Sequence, residues 1–361
     1  MDWAGGVSMK KTKKILLYVF YGALTVAILF FVLSIQDIGE IAGVLAGADL
    51  RYILLALLLL FVYLALYPLT LCFLARSTAI GVGFRDVYMI GMTEHFFNGI
   101  TPFATGGQPF QAYAMARRHT TVASATGLLI MNFLIFMAVT NTFSLLSLIY
   151  YREFILSQGM GAVAAVGFTM NFLVLLMTLL IGTSESIRRL IVFLMEQLAR
   201  IRPLRKILDR RIADFRIYTE NTQRAFRELW RDKKTFSLCY LTRFLTMAAY
   251  YAITFCIIRA LHVDIGLDRL PFVVLGSAFA ITMVVFLPTP GSSGGIEFAF
   301  SAVFSALALG AGSSISYGGM LIWRLITYYL AMLVSFVFYI LLEIRFRRAP
   351  VSEEKRKEEE R

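Results

Sequence analysis

Of the 361 residues, 58% are hydrophobic and only 16% charged, with a mean hydropathy of +0.72. Soluble domains carry about a quarter charged residues, so this is the composition of an integral membrane protein, and apolar runs along nearly the whole chain leave no room for a soluble catalytic domain. The net charge of +12 lies between those runs without the aromatic interleaving of a nucleic-acid surface; it fits topology control and contact with anionic lipid head groups. Cys72, Cys239 and Cys256 sit in apolar stretches without CxxC spacing, and His95, His119 and His262 share no metal-ligand spacing. No disulfide framework, zinc site, cofactor site or catalytic triad is expected.

In chain order, residues 1–14 form a tail ending in Lys10, Lys11, Lys13 and Lys14. Met9, followed by the lysines, reads as a natural start, which makes the first eight residues either an extension foreign to the native chain or a dispensable tail. Residues 15–35 carry no charge and are long enough to cross ~30 Å of hydrocarbon, giving a first span with a cytoplasmic N-terminus. A short acidic segment follows at 37–51, then a second span at 52–75 that returns to Arg76 and Arg85. Residues 87–116 are apolar but broken by Glu94, His95 and Asn98, and they end at Arg117, Arg118 and His119. Basic flanks on both sides predict a re-entrant hairpin that enters and leaves on the cytoplasmic face.

Spans at 122–149 and 161–181 enclose a short outer loop and complete a first membrane half, 15–183. Residues 184–234 hold 14 Lys/Arg against 7 Asp/Glu, with Ile187, Leu190, Ile191 and Leu194 at helical spacing. A linker at 184–235 is therefore expected, basic and amphipathic, lying along the inner leaflet. The second half, 236–345, has spans at 236–261 and 317–344 around a second hairpin at 270–310. Acidic Asp264 and Asp268 precede that hairpin, and Arg345, Arg347 and Arg348 follow the last span, so it should enter from outside. Residues 346–361 read as a disordered cytoplasmic tail. The expected fold is an all-α polytopic membrane protein: six full spans plus two oppositely inserted hairpins, arranged as an inverted repeat in the cell membrane.

One stretch occurs twice. Thr101-Pro102-Phe103-Ala104-Thr105-Gly106-Gly107-Gln108-Pro109 and Thr289-Pro290-Gly291-Ser292-Ser293-Gly294-Gly295-Ile296-Glu297 align at an offset of 188. Matching Pro/Gly breaks in two halves of a membrane protein point to a binding site, because irregular backbone at membrane depth persists only when packed in protein or lining a watery cavity. Spacing suggests Thr105 and Gln108 as a capping box for the helix after the first break, and Ser293 as the cap after the second, with Glu297 in the first turn. Helix starts rich in glycine can seat an anion such as phosphate. Ionisable groups inside the spans are costly and point to function. These are Glu94 and Glu297 in the hairpins, Arg243 about two turns into its span, and Arg324 about two turns into the last. The candidate substrate-binding set is Glu94, Asn98, Thr101, Pro102, Gly106, Gly107, Pro109, Arg243, Pro288, Pro290, Gly294, Gly295, Glu297 and Arg324, with Glu297 and Arg324 expected to be electrostatically coupled.

Residues 97–102 with 106–109, and residues 287–297, resemble the two signature motifs of the lysylphosphatidylglycerol synthase transmembrane (flippase-like) family. Trp323-Arg324-Leu325-Ile326-Thr327-Tyr328-Tyr329 is similar to that family's arginine-bearing final helix, and the resemblance covers roughly residues 15–345. It implies a bacterial or archaeal inner-membrane protein that moves a charged phospholipid or polyprenyl-type lipid between leaflets. The chain departs from the family in carrying Gln111 where members often have an arginine two residues after the motif-closing proline. The soluble acyltransferase-like domain of the fused enzymes is not in this sequence, so lipid synthesis is not expected. The reading is a non-enzymatic lipid translocase. Its expected partners are membrane lipids with anionic head groups, not nucleic acid, and a second copy of the chain or a lipid-synthesis enzyme is a further candidate. A secondary transporter of a small polar solute and a non-transporting scaffold are the alternatives.

Overall fold

The structure is a computed structural model that describes residues 45–118, 120–153, 161–200, 202–284 and 313–348, together with 43, 295, 296, 299 and 300. The expected first span at 15–35, the tip of the second hairpin with Pro288, Pro290, Gly294 and Glu297, and the tail beyond 348 lie outside these residues. Residues 1–48 and 49–361 form two compact units; the account below concerns the larger.

Among the described residues every element is helical. The helices are α1 (Leu50–Leu66), α2 (Leu69–Ser77), α3 (Phe84–Met92), α4 (Glu94–Gly99), α5 (Gly107–Ala116), α6 (Val122–Tyr150) and α7 (Gly161–Thr183). They continue as α8 (Glu185–Leu198), α9 (Arg202–Arg231), α10 (Lys233–Ala260), α11 (Leu270–Val284), α12 (Ser313–Arg324) and α13 (Ala331–Arg348). Five stretches are long and apolar enough to cross a bilayer: Leu50–Ser77, Val122–Tyr150, Ala165–Thr183, Lys233–Ala260 and Tyr317–Phe346. They coincide with five of the six expected spans, and their outward side chains, such as Leu54, Leu58 and Phe61 at helical spacing, remain exposed and apolar. This is the surface of a multi-pass membrane protein, whose outer face meets hydrocarbon rather than water.

The spans are not smooth rods. Pro68 separates α1 from α2, and it lies where Gly91 of α3 approaches so closely that a Cβ on Gly91 would sit 2.7 Å from the proline ring. Proline lacks an N–H and breaks the ladder, and the close glycine lets the second helix fill the resulting notch. In the last span a π-helical turn, Leu325–Leu330, joins α12 to α13 directly after Arg324. Such turns widen the backbone locally and recur at functional positions.

Residues 84–118 leave and return to one place. Asp86, near the start of α3, pairs with Arg345 of α13 and lies 3.5 Å from Arg118, just past α5; Arg117 bonds Glu343 at 2.9 Å. At the far end of the same segment, the Tyr328 hydroxyl donates to the Gly99 carbonyl at 2.9 Å. The 17 residues from Tyr328 to Arg345 correspond to about 26 Å of helix, so the segment runs nearly the length of α13 and comes back. Between these points Ser335 donates to the Met92 carbonyl and accepts from the Phe96 N–H at 2.9 Å. It thereby satisfies backbone groups freed where α3 stops and α4 begins, as burial in an apolar medium requires.

The basic linker forms α8 and α9. Leu190, Phe193, Leu194 and Leu198 of α8 are exposed. The second half of α9 turns Thr219, Thr222, Ala225 and Leu229 inward, with Phe226 against Gly182 of α7. Farther along, α11 docks through hydroxyl contacts: Ser144 with Thr282 at 2.9 Å, Ser147 to the Leu275 carbonyl at 2.9 Å and Ser277 to Thr254 at 2.7 Å.

Candidate functional site

The first motif is an irregular turn between α4 and α5. Phe103 and Ala104 have φ of 56° and 50°, a left-handed conformation that L-residues with a Cβ adopt at a cost. The motif glycines serve a different need. Gly106 has φ of −77°, and a Cβ there would lie 2.7 Å from the Phe97 carbonyl oxygen; one on Gly107 would lie 2.7 Å from Asn98 Oδ1 and 2.8 Å from Glu94 Cγ. Close approach therefore excludes side chains at these positions, whereas left-handed backbone is confined to the two residues before Thr105. The start of α5 is also closed differently from the spacing-based expectation. The Gly106 N–H donates to Thr101 Oγ1 and the Gly107 N–H to Asn98 Oδ1, both at 2.9 Å. Thr101 and Asn98 thus hold the N–H groups of the two glycines, groups that a Thr105/Gln108 capping box would leave aside, and Gln108 is exposed.

This turn presses Asn98 against a buried carboxylate. Glu94 Oε1 accepts from Asn98 Nδ2 at 3.5 Å, a long contact, and Glu94 Oε2 accepts from Gln111 Nε2 at 3.1 Å. Gln111 is wholly buried, so where the family often places a cation this chain supplies a neutral donor to its own glutamate. The Tyr67 hydroxyl at the α1–α2 break lies within electrostatic reach of both Glu94 and Arg243. Arg243 stacks its guanidinium 4.3 Å over the Tyr67 ring and donates from Nη2 to Asn132 Oδ1 of α6 at 2.9 Å. Only 1% of Arg243 is exposed, and its Nε and Nη1 have no hydrogen-bond partner among the described residues. The two opposite charges attract across Tyr67 without a direct ion pair.

A buried arginine is expensive, on the order of 3 kcal/mol at a helix centre on insertion scales, and an unsatisfied donor adds about 1–3 kcal/mol. The fold keeps it nevertheless. His95 stands beside this group, its ring 4.4 Å from Tyr67 and 5.3 Å from Tyr63. A chain of aromatic contacts then runs through Tyr63 and Tyr250 to Trp323, with centroids 4.8 and 6.0 Å apart. Arg324 is 3% exposed, lies 4.7 Å over Tyr328 and interacts with Tyr250. Phe300 stacks on Trp323 at 4.5 Å.

Of the expected site residues, Glu94, Asn98, Thr101, Gly106, Gly107 and Arg243 come together here. Arg324 lies farther along the aromatic chain. Pro102 stands in the 3₁₀ turn of the motif, Pro109 is exposed on α5, and Gly295 is half-buried. Pro288, Pro290, Gly294 and Glu297, and with them the expected Glu297–Arg324 coupling, lie outside the described residues. Tyr67, Asn132 and Gln111 were not anticipated as site residues. An asparagine inside an apolar span was the one signal for Asn132, and it was shared by Asn141 of the same helix and Asn171 of α7.

The family model for the lysylphosphatidylglycerol synthase TM region matches residues 17–335. The chain belongs to that family. It is also similar to a UPF0104 membrane protein of Methanothermobacter thermautotrophicus, 36% identical over 80 residues. That match covers 22% of this chain and 24% of the relative, so the chain spans about a quarter of the length of the curated relative it matches. Membership ties the chain to a membrane region linked to lipid handling.

Proposed function

We propose that the protein is a translocase that carries a phosphate-bearing lipid head group between leaflets, without catalysing a covalent reaction. The observation that carries this reading is Arg243: fully buried in a span, held by Asn132 and the Tyr67 side chain, with Nε and Nη1 each lacking a hydrogen-bond partner among the described residues, so that donors remain for a phosphate oxygen. Glu94 opposite it supplies a balancing negative charge and a contact for any cationic part of the head group. In topology, the meeting of Asp86 with Arg118 supports residues 84–118 as a re-entrant hairpin. A second hairpin at 270–310, preceded by the acidic Asp264 and Asp268, and cytoplasmic termini, beside the lysines at 10–14 and the arginines that end α13, complete this topology. The two hairpins enter from opposite faces and relate the halves as an inverted repeat. A panel of head-group-labelled lipids in proteoliposomes tests the function. Faster exchange of a phosphate-bearing lipid than in protein-free vesicles is expected. Movement of a small soluble solute without any lipid, or of neither, contradicts it.

A further inference from the structure

A cleft of about 550 Å³ opens at the end of the bundle where α9 gives way to α10, lined by Leu74, Ser77, Met131, Arg231 and Thr235 among others. It leads toward Arg243 along two matched helix faces. On α10, Thr235, Cys239 and Arg243 are spaced by four and share a face; across from them Ser77, Leu74, Thr70 and Tyr67 do the same on the α1–α2 span. The faces touch along their length. Thr235, Leu74 and Ser77 line the cleft together, Cys239 Sγ lies 3.7 Å from the Thr70 carbonyl, and Arg243 lies over Tyr67. Thr70 Oγ1 is buried without a hydrogen-bond partner, as are the two guanidinium nitrogens one turn deeper. The cleft is floored by Leu74 and Met131, which belong with Cys239 to one buried apolar cluster, and from Thr235 to Arg243 is about 12 Å of helix.

Resting on the lipid reading above, we infer that this cleft is the entrance through which a phosphate reaches Arg243 from the α8–α9 side. The mouth offers Arg231 and the hydroxyls of Ser77, Thr78 and Thr235 to a phosphate, and Glu228 and Asp232 to any cationic part of the head group; the floor parts at the flexible Met131, and Thr70 then Arg243 are the next donors on the way in. Head groups are thus loaded from the leaflet that carries the basic linker.

Cys239 is a native reporter at the floor. With Cys72 and Cys256 replaced by alanine, an impermeant, negatively charged thiosulfonate applied from the α8–α9 side should modify it, and a Thr235→Cys reporter at the mouth, made with Cys239 also replaced, should react faster. In vesicles containing phosphatidylglycerol, modification of Cys239 should be at least ~10-fold slower than in vesicles of phosphate-free galactolipid, and Arg243→Gln should remove that protection. Slowing by inorganic phosphate alone, in galactolipid vesicles, would keep the entrance and make its ligand a soluble anion. Modification only from the opposite side, no modification from this one, or equal rates under all conditions would overturn it. Lipid exchange without protection would refute the entrance alone, whereas protection without exchange would refute the translocase reading alone.

Discussion

The segment 84–118 has two ends that treat arginine in opposite ways. At its base, Arg117, Arg118 and Arg345 each meet a carboxylate, Glu343 or Asp86, and stack on Phe346 where it is near. Toward its buried core, Glu94 faces Arg243 across a tyrosine with no direct ion pair. Partly exposed pairs at the base are worth about 0–1 kcal/mol each and serve to return the chain to where it started. The deep arginine costs stability and keeps donors in reserve, which is what a binding group needs and a structural one does not.

The sharpest way to break this contrast is Arg243→Gln, which should lower lipid exchange about 100-fold, a loss of about 2.7 kcal/mol at the rate-limiting step, with the protein still inserted. Full activity of that variant would make Arg243 a packing residue. Glu94→Gln should cost ~10-fold or more in the same assay. Gly107→Ala comes next: its Cβ would strike Asn98 and Glu94, so about 1–3 kcal/mol of overpacking strain is expected, read as a lower melting temperature with weaker exchange. Asp86→Asn should reverse the pattern, losing about 1 kcal/mol of stability while exchange per folded molecule stays within ~2-fold. The smallest effect is expected at Pro109→Ala, since that ring is exposed on α5; a loss above ~3-fold would return Pro109 to the binding surface.

Sequence reading went far on this fold because the five described spans are written in long, mostly apolar runs. The expected ends at 122–149 and 236–261 fall within a few residues of α6 and α10. That residues 84–118 leave and return to one place was legible from Arg85, Arg117 and Arg118 on either side of a Pro/Gly break, since basic residues resist crossing. The π turn after Arg324 was not, because a widened turn leaves no compositional mark. In the site, the charged members Glu94 and Arg243 stood out by their cost in hydrocarbon. Tyr67 and Asn132 did not, because a tyrosine or asparagine in a span is common and only packing decides which one meets an arginine. Gln111 marks the limit of arguing from likeness: read as a missing cation, it is a donor to this chain's own glutamate.

The most direct test is a double-mutant cycle in lipid exchange across the charges that Tyr67 separates. If Glu94 and Arg243 act on one head group and on each other, the Glu94→Gln/Arg243→Gln double variant should lose clearly less than the product of the two single losses, a coupling of at least about 1 kcal/mol. Losses that simply multiply would mean that the two residues work independently and that the buried charges do not form one site.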